Sequence, residues 1–169
     1  MNLQPTLADE LVEIRPLLAK DREALYFVAK DPNIWEQHPV DRYKRELFDM
    51  FFDESLKSGG CLVILDKKTQ QIIGSSRYKL LADFPHGIEI GWSFLARTYW
   101  GGLYNGAIKR LLMDYALLHF EHVVYFIDSK NIRSQKAVEK IGGKKASTAS
   151  LGALPSTSSE NMIYVASRS

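Results

Sequence analysis

Residues 100–106, Trp-Gly-Gly-Leu-Tyr-Asn-Gly, mark a change of period. The stretch 87–95 alternates, whereas apolar residues then recur at 104, 107, 108, 111, 112, 115 and 118, the spacing of a helix. The first N–H groups of a helix lack intrahelical partners, and the helix dipole makes that end partly positive. A strand that passes through glycines into a helix therefore offers main-chain donors to an anion such as pyrophosphate. Gly101 and Gly102 remove the Cβ atoms that would hold a ligand off; a plain tight turn would use the same glycines. Lys109 and Lys136 could reach such an anion; an ordinary solvated charge is at least as good a reading of each. Glu89 is the other residue with chemistry to offer. It interrupts an apolar strand, so it faces solvent, pairs with a neighbour such as Arg77, or lines a cleft with a raised pKa.

The remaining elements must position these groups. Val12–Leu17 reads as a first strand with Pro16 at an edge or end, after a leader of ten residues that is loosely held or laid along the surface. Residues 20–30 and 42–58 read as helices, the second stopped by Gly59-Gly60. Residues 61–65 and 71–80 form a hairpin around Asp66–Thr69. Along 87–95, strict alternation puts Ile88, Ile90, Trp92 and Phe94 on one face and Glu89, Gly91, Ser93 and Leu95 on the other. Residues 123–127 are a continuous apolar run, as in a strand covered on both faces. A short helix follows from Asn131, a capping residue, to Gly142, a stop. Two strands near 144–150 and 161–167, separated by a Ser/Gly/Pro-rich stretch, complete the chain. The pattern is an α/β (α+β) domain over 1–169: a mixed, mostly antiparallel central sheet with helices on both faces.

Composition narrows the function classes. A net charge of +2, with no run of like charges, argues against nucleic acid or an acidic membrane as partner. No apolar run approaches the roughly 18 residues of a membrane span, and no secretory signal is evident, so the expected address is cytoplasmic. Cys61, the one cysteine, opens an apolar run and reads as a buried, inert thiol. The four histidines show no metal-ligand spacing, so no metal is expected. A P-loop is absent, because the glycines are not followed by G-K-[S/T].

Asn131, Ser134, Glu139, Lys140 and Gly142 fall at the spacing N-x-x-S-x-x-x-x-E-K-x-G, directly after the buried strand. Together with the strand, glycine loop and helix of 87–118, this resembles the GNAT acyltransferase superfamily, in the branch resembling the ribosomal-protein N-terminal (alanine/serine) acetyltransferases. Val12–Leu17 with Asp21 and Ala24-Leu25 is similar to that family's opening strand and helix, so the resemblance spans nearly the whole chain and weakens after 145. The loop departs from the usual Q/R-x-x-G-x-G/A: Trp100, Leu103 and Asn105 occupy those positions, and the glycines stand at 101 and 102.

The resemblance implies acyl transfer from acetyl-CoA to an amine. Glu89, eleven residues before Trp100, then corresponds to the general base. Ser93, Phe94 and Leu95 would hold the pantetheine arm where a bulge splays the strand, with a backbone N–H near Phe94 or Leu95 as oxyanion donor. Gly101, Gly102, Leu103, Tyr104, Asn105 and Gly106 would hold the pyrophosphate, with Lys136 nearby. Asn131 would lie near the thioester. Many of these enzymes carry a tyrosine acid seven residues after that asparagine; here Val138 occupies the position, leaving Ser134 or a water to protonate the leaving thiolate. Trp35, His38, Tyr43, Arg77 and Tyr78 are the expected acceptor-binding residues. The expected function is an N-acetyltransferase for a protein N-terminus or a small amine, the alternative a non-catalytic CoA-binding module. Edge strands and the C-terminal hairpin offer surfaces for a homodimer, which nothing in the residues demands.

Overall fold

A computed structural model describes residues 1–146 and 161–169. In chain order the elements are β1 (Leu7–Ala8), β2 (Val12–Pro16), α1 (Arg22–Ala29), α2 (Arg45–Ser58), β3 (Cys61–Asp66), β4 (Ile72–Leu80), β5 (Gly87–Leu95), α3 (Leu103–Leu117), β6 (His122–Asp128), α4 (Ile132–Lys140), β7 (Lys144–Lys145) and β8 (Asn161–Ser167). The strands form one sheet in the order β1-β2-β3-β4-β5-β6-β8-β7, and among the described residues only β5 and β6 run parallel.

Both faces are covered, as the apolar residues of the strands require. Ile14, Leu62, Ile64, Ile88, Ile90 and Val123 pack beneath α3 and α4. Val63, Leu65 and Phe94 pack beneath α1 and α2, against Leu25, Phe48 and Phe52. Cys61 belongs to this second core, and burial pushes its thiol up to about 11. Gly59, at φ 68, ends α2, and Gly142, at φ 100, follows α4, both in the left-handed region that glycine enters without strain.

The N-terminal residues are laid along the sheet rather than loosely held: Leu7 and Ala8 pair with Ile14 and Glu13, while Leu3 and Leu7 pack against the core. One expectation is corrected: the strict alternation along β5 fails. Pairing shifts by one residue between Ser75↔Phe94 and Arg77↔Gly91, and Trp92 adopts φ 52. This bulge reverses the faces beyond it. Trp92 and Phe94 pack on the α2 side, whereas Leu95 rejoins Ile88 and Ile90 beneath α3. Of the strand expected near 144–150, β7 supplies 144–145; positions 147–150 and the Ser/Gly/Pro-rich stretch lie outside the described residues.

Candidate active site

β5 pairs with β6 only through Gly87↔His122, Ile88↔Val123 and Glu89↔Val124, after which the two strands part. The bulge at Trp92 turns β5 away just beyond that fork. A cavity of about 150 Å³ opens in the gap. Trp35 and Phe94 line it from the α1/α2 side, Ile108 and Leu112 from beneath α3, so it runs through the sheet. Two buried hydroxyls that line it, Ser75 Oγ and Tyr125 Oη, have no hydrogen-bond partner among the described residues. Buried polar groups are normally satisfied, so these two are the signature of a slot shaped for something polar.

At one end the slot meets a second cavity at the mouth of α3, and Gly101, Asn105, Lys109, Arg133 and Ala137 line both. Gly101 makes the turn at φ 71, and Gly102, in extended backbone, is the N-cap. No side chain caps the helix, so its first N–H groups remain available. A Cβ built on either glycine would meet nothing within 4 Å, which leaves open space over those donors. The charged residues of this cavity are Lys109, Arg110, Arg133, Lys136 and Lys140, with no Asp or Glu. The donor set therefore fits a polyanion such as a pyrophosphate. The departure of the loop from the usual glycine positions costs nothing here, because the left-handed residue is Gly101 and Leu103 is already helical.

Trp100 and Arg133 brace this loop. The Trp100 indole N–H donates to the Leu95 carbonyl at 2.8 Å, and the Arg133 guanidinium lies 3.8 Å above its ring. Arg133 also donates to the Ile34 carbonyl at 3.2 Å, and its N–H donates to Gln37 Oε1 at 3.0 Å. The segment before α2 is thereby tied across the slot to the start of α4. At that start Asn131 Oδ1 accepts from the Ser134 N–H at 3.2 Å, so Asn131 is a helix cap whose side chain also lines the slot.

At its other end the slot joins a third cavity, and His38, Ser93, Lys109, Tyr125, Asn131 and Ser134 line both. Glu89, at the fork, lines this cavity. It is 9% exposed, and among the described residues nothing hydrogen-bonds its carboxylate. Burial raises its pKa to about 7, against the opposing pull of Lys79 and Arg77. Gly91 makes room for it: a Cβ there would lie 3.1 Å from Glu89 Oε2. His38 is no rival base. Burial and Arg42 lower its pKa to about 4, while its two ring nitrogens contact Arg42 Nη1 and the Val40 backbone. Lys109 has no carboxylate partner among the described residues, and desolvation lowers its pKa to about 8.

Not every expected residue comes to the site. The Tyr104 hydroxyl donates to Asp66 at 3.2 Å, so only its main chain remains at the helix mouth. Tyr43 packs with the α1/α2 core, its carbonyl accepting from the Tyr26 hydroxyl. Tyr78 is buried beneath α3, donating to the Leu112 carbonyl. Both miss the acceptor cavity, because packing against the nearest core decided their direction. Arg77 lines a neighbouring cleft with Trp92 and Lys79, its guanidinium 4.2 Å from the Trp92 ring. Trp35, His38, Ser93, Phe94, Leu95, Gly106 and Lys136 do line the joined cavities. Arg42, Tyr125 and Arg133 were missed. Tyr125 sat in an apolar run that gave no sign of which strand pair would part.

Among the described residues no helix is long and apolar enough to cross a membrane, and no cluster of side chains is arranged to hold a metal ion. The fold is that of a GNAT from Brucella melitensis (14% identity, 97% of this chain and 79% of that one, TM-score 0.79). It is equally similar to a candidate ribosomal-protein-serine acetyltransferase from Vibrio cholerae (14% identity, 99% and 100%, TM-score 0.78). A spermidine N-acetyltransferase from Vibrio cholerae, in complex with CoA and spermine, is also similar (12% identity, 93% and 94%, TM-score 0.66). No curated protein matches. The sequence model of the acetyltransferase (GNAT) domain matches residues 12–144, from β2 through the fork, the glycine loop and α4, and on that match the chain belongs to the GNAT acetyltransferase family.

Proposed function

We propose that residues 1–169 act as one acetyl-CoA-dependent N-acetyltransferase domain, transferring acetyl to a primary amine with Glu89 as general base. The observation that carries this reading is continuity. A cationic helix mouth, a slot between parted strands and a buried carboxylate are joined end to end by shared lining residues. The Vibrio cholerae spermidine N-acetyltransferase binds CoA and an amine, spermine, and so supports a coenzyme and an amine as the two classes of ligand.

Acetyl-CoA supplies an activated acyl group whose pyrophosphate would sit on the N–H groups of Leu103 to Asn105, with Lys136 and Arg133 beside it. Its pantetheine would pass Ser93, Phe94 and Leu95, with a backbone N–H near Phe94 or Leu95 as the oxyanion donor. An α-amine, with a reference pKa of about 8, arrives mostly protonated at neutral pH. Glu89, directly or through a water, takes its proton. The nitrogen then bonds to the carbonyl carbon, its second proton passes to solvent through a water, the C–S bond breaks and the thiolate leaves. Val138 is buried and has no proton to give. Tyr125, kept protonated by burial, donates a hydrogen bond to the sulfur. The Lys109 ammonium, at about 8, matches a thiol of about 8.5 and passes its proton to it. Ser134 stands at the same junction.

Tyr125→Phe separates this role from packing. Removing a buried hydroxyl that lacks a partner should stabilise the fold by about 1 kcal/mol. Turnover should fall roughly tenfold, with acetyl-CoA affinity held. Thermal unfolding beside steady-state kinetics checks both; an unchanged kcat removes Tyr125 from the mechanism.

The reading as a whole is tested by calorimetric titration with acetyl-CoA, free CoA and ATP, followed by CoA release with a panel of amines and N-terminal peptides. Saturable one-to-one binding of acetyl-CoA and amine-dependent release are expected. Binding without turnover on any amine would make the protein a CoA-binding module. No binding at millimolar acetyl-CoA would end the acetyl-CoA reading.

A further inference from the structure

The arginines of this protein divide into two groups. Arg15 pairs with Asp21, Arg22 with Asp49 and Asp53, Arg45 with Glu23 and Asp49, and Arg97 with Asp31. Arg42 has no carboxylate within ion-pair distance among the described residues, although it is half-buried and lines the acceptor cavity beside Glu89. Glu54 offsets part of its charge through space without bonding it; a desolvated guanidinium that no carboxylate bonds is costly, and an exposed one would have cost less.

Its placement is built. The guanidinium lies 4.7 Å from the Phe51 ring centroid and 5.7 Å from that of Trp35, and its Nη1 is 3.2 Å from His38 Nε2. His38, neutral at physiological pH, accepts that bond and adds no charge. Phe51 also borders Arg77, at 5.9 Å, whose Nη2 donates to Ser55 Oγ at 2.6 Å and whose Nε has no partner. Two guanidiniums thus flank one ring; Glu54 pulls on both through space, and among the described residues no acid is bonded to either. The cavity's own acids, Glu89 and Asp128, lie on β5 and β6. One wall therefore suits an ammonium and the opposite loop suits an anion.

We propose that Arg42 is a carboxylate subsite and that the acceptor is a zwitterionic amine of the amino-acid type: its ammonium meets Glu89 and its carboxylate meets the Arg42 fork. Arg presents paired N–H donors that match a carboxylate, which a lysine would not do. The carboxylate is either the α-carboxylate of a free amino acid or the side chain of an acidic residue at a peptide N-terminus. A polyamine offers no such group and meets Arg42 and Lys109 as repulsion. This inference rests on the transferase reading, and the test separates the two.

With the full chain and saturating acetyl-CoA, kcat/KM is compared between free α-amino acids and their α-amides, and between peptides beginning with Asp or Glu and those beginning with Asn or Gln. A preference of at least tenfold for the carboxylate member is expected in one of the two series, and which series shows it identifies the source. In Arg42→Gln that preference should collapse toward one through KM, in Arg42→Lys it should persist in part, and acetyl-CoA affinity should be unchanged in both. Independently of turnover, calorimetry with N-acetylated amino acids or peptides in the presence of CoA reads the subsite directly. Binding to the wild type that is weakened tenfold in Arg42→Gln supports it, even if no amine is turned over and the transferase reading falls. Spermidine or neutral amides turned over as well as carboxylate-bearing amines, or a preference that survives Arg42→Gln, would overturn it.

Discussion

Glu89→Gln is expected to lower turnover by roughly 10²–10⁴-fold while making the folded protein more stable at alkaline pH. Both effects come from one fact: burial holds the Glu89 carboxyl at about 7, against an ordinary value of 4.5. Between those two pH values the folded protein keeps a proton that the unfolded chain has already lost. Stability therefore falls as pH rises through that window, and is flat below and above it. At pH 8 the wild type should carry a cost on the order of 3 kcal/mol that the neutral glutamine does not carry. Urea unfolding at pH 4 and pH 8 reads this difference, which should be small at the lower pH and large at the higher. Activity runs the opposite way, since only the ionised carboxylate accepts a proton. The wild-type kcat/KM should rise with pH toward a break near 7, and Glu89→Gln should lose that break. A variant that loses activity without the pH-dependent gain in stability would mean that Glu89 is not a buried neutral acid in the free protein.

Gly102→Asp should have the second largest effect, and it should fall on binding alone. Gly102 caps α3 from extended backbone that any residue adopts, and a Cβ there meets nothing within 4 Å. An aspartate can therefore be built without strain, and its carboxylate would cap the free N–H groups. The fold should gain a few tenths of a kcal/mol. The coenzyme would then find its donors occupied and a negative charge among them. Losing one hydrogen bond to a charged group is worth about 1.5–3 kcal/mol, so acetyl-CoA affinity should drop at least tenfold. Calorimetry and thermal unfolding on the same sample distinguish this from misfolding. Unchanged affinity would move the pyrophosphate elsewhere.

The helices, the hairpin, the 87–95 strand and the glycine-bearing mouth of α3 were readable because each depends on local periodicity or on a residue with special backbone freedom. Asn131 as a cap and Gly59 and Gly142 as stops belong to the same class. Family membership was readable too, since the N-x-x-S-x-x-x-x-E-K-x-G spacing is a property of one helix. Acceptor-side residues were read least well. Tyr43 and Tyr78 were expected at the site and pack into the cores, while Arg42 and Tyr125 gave no local sign.

By itself, then, the sequence determined which segments are helix and strand, where backbone donors are exposed, and that Glu89 stands out on an apolar strand. Only the tertiary structure decided that β5 and β6 part just after Glu89, that a one-residue bulge at Trp92 reverses the faces beyond it, and that an unpaired Arg42 from a distant loop faces the same cavity. The reason is physical. Periodicity encodes which way a side chain leaves its own element, but burial, charge pairing and cavity shape depend on neighbours brought from far along the chain.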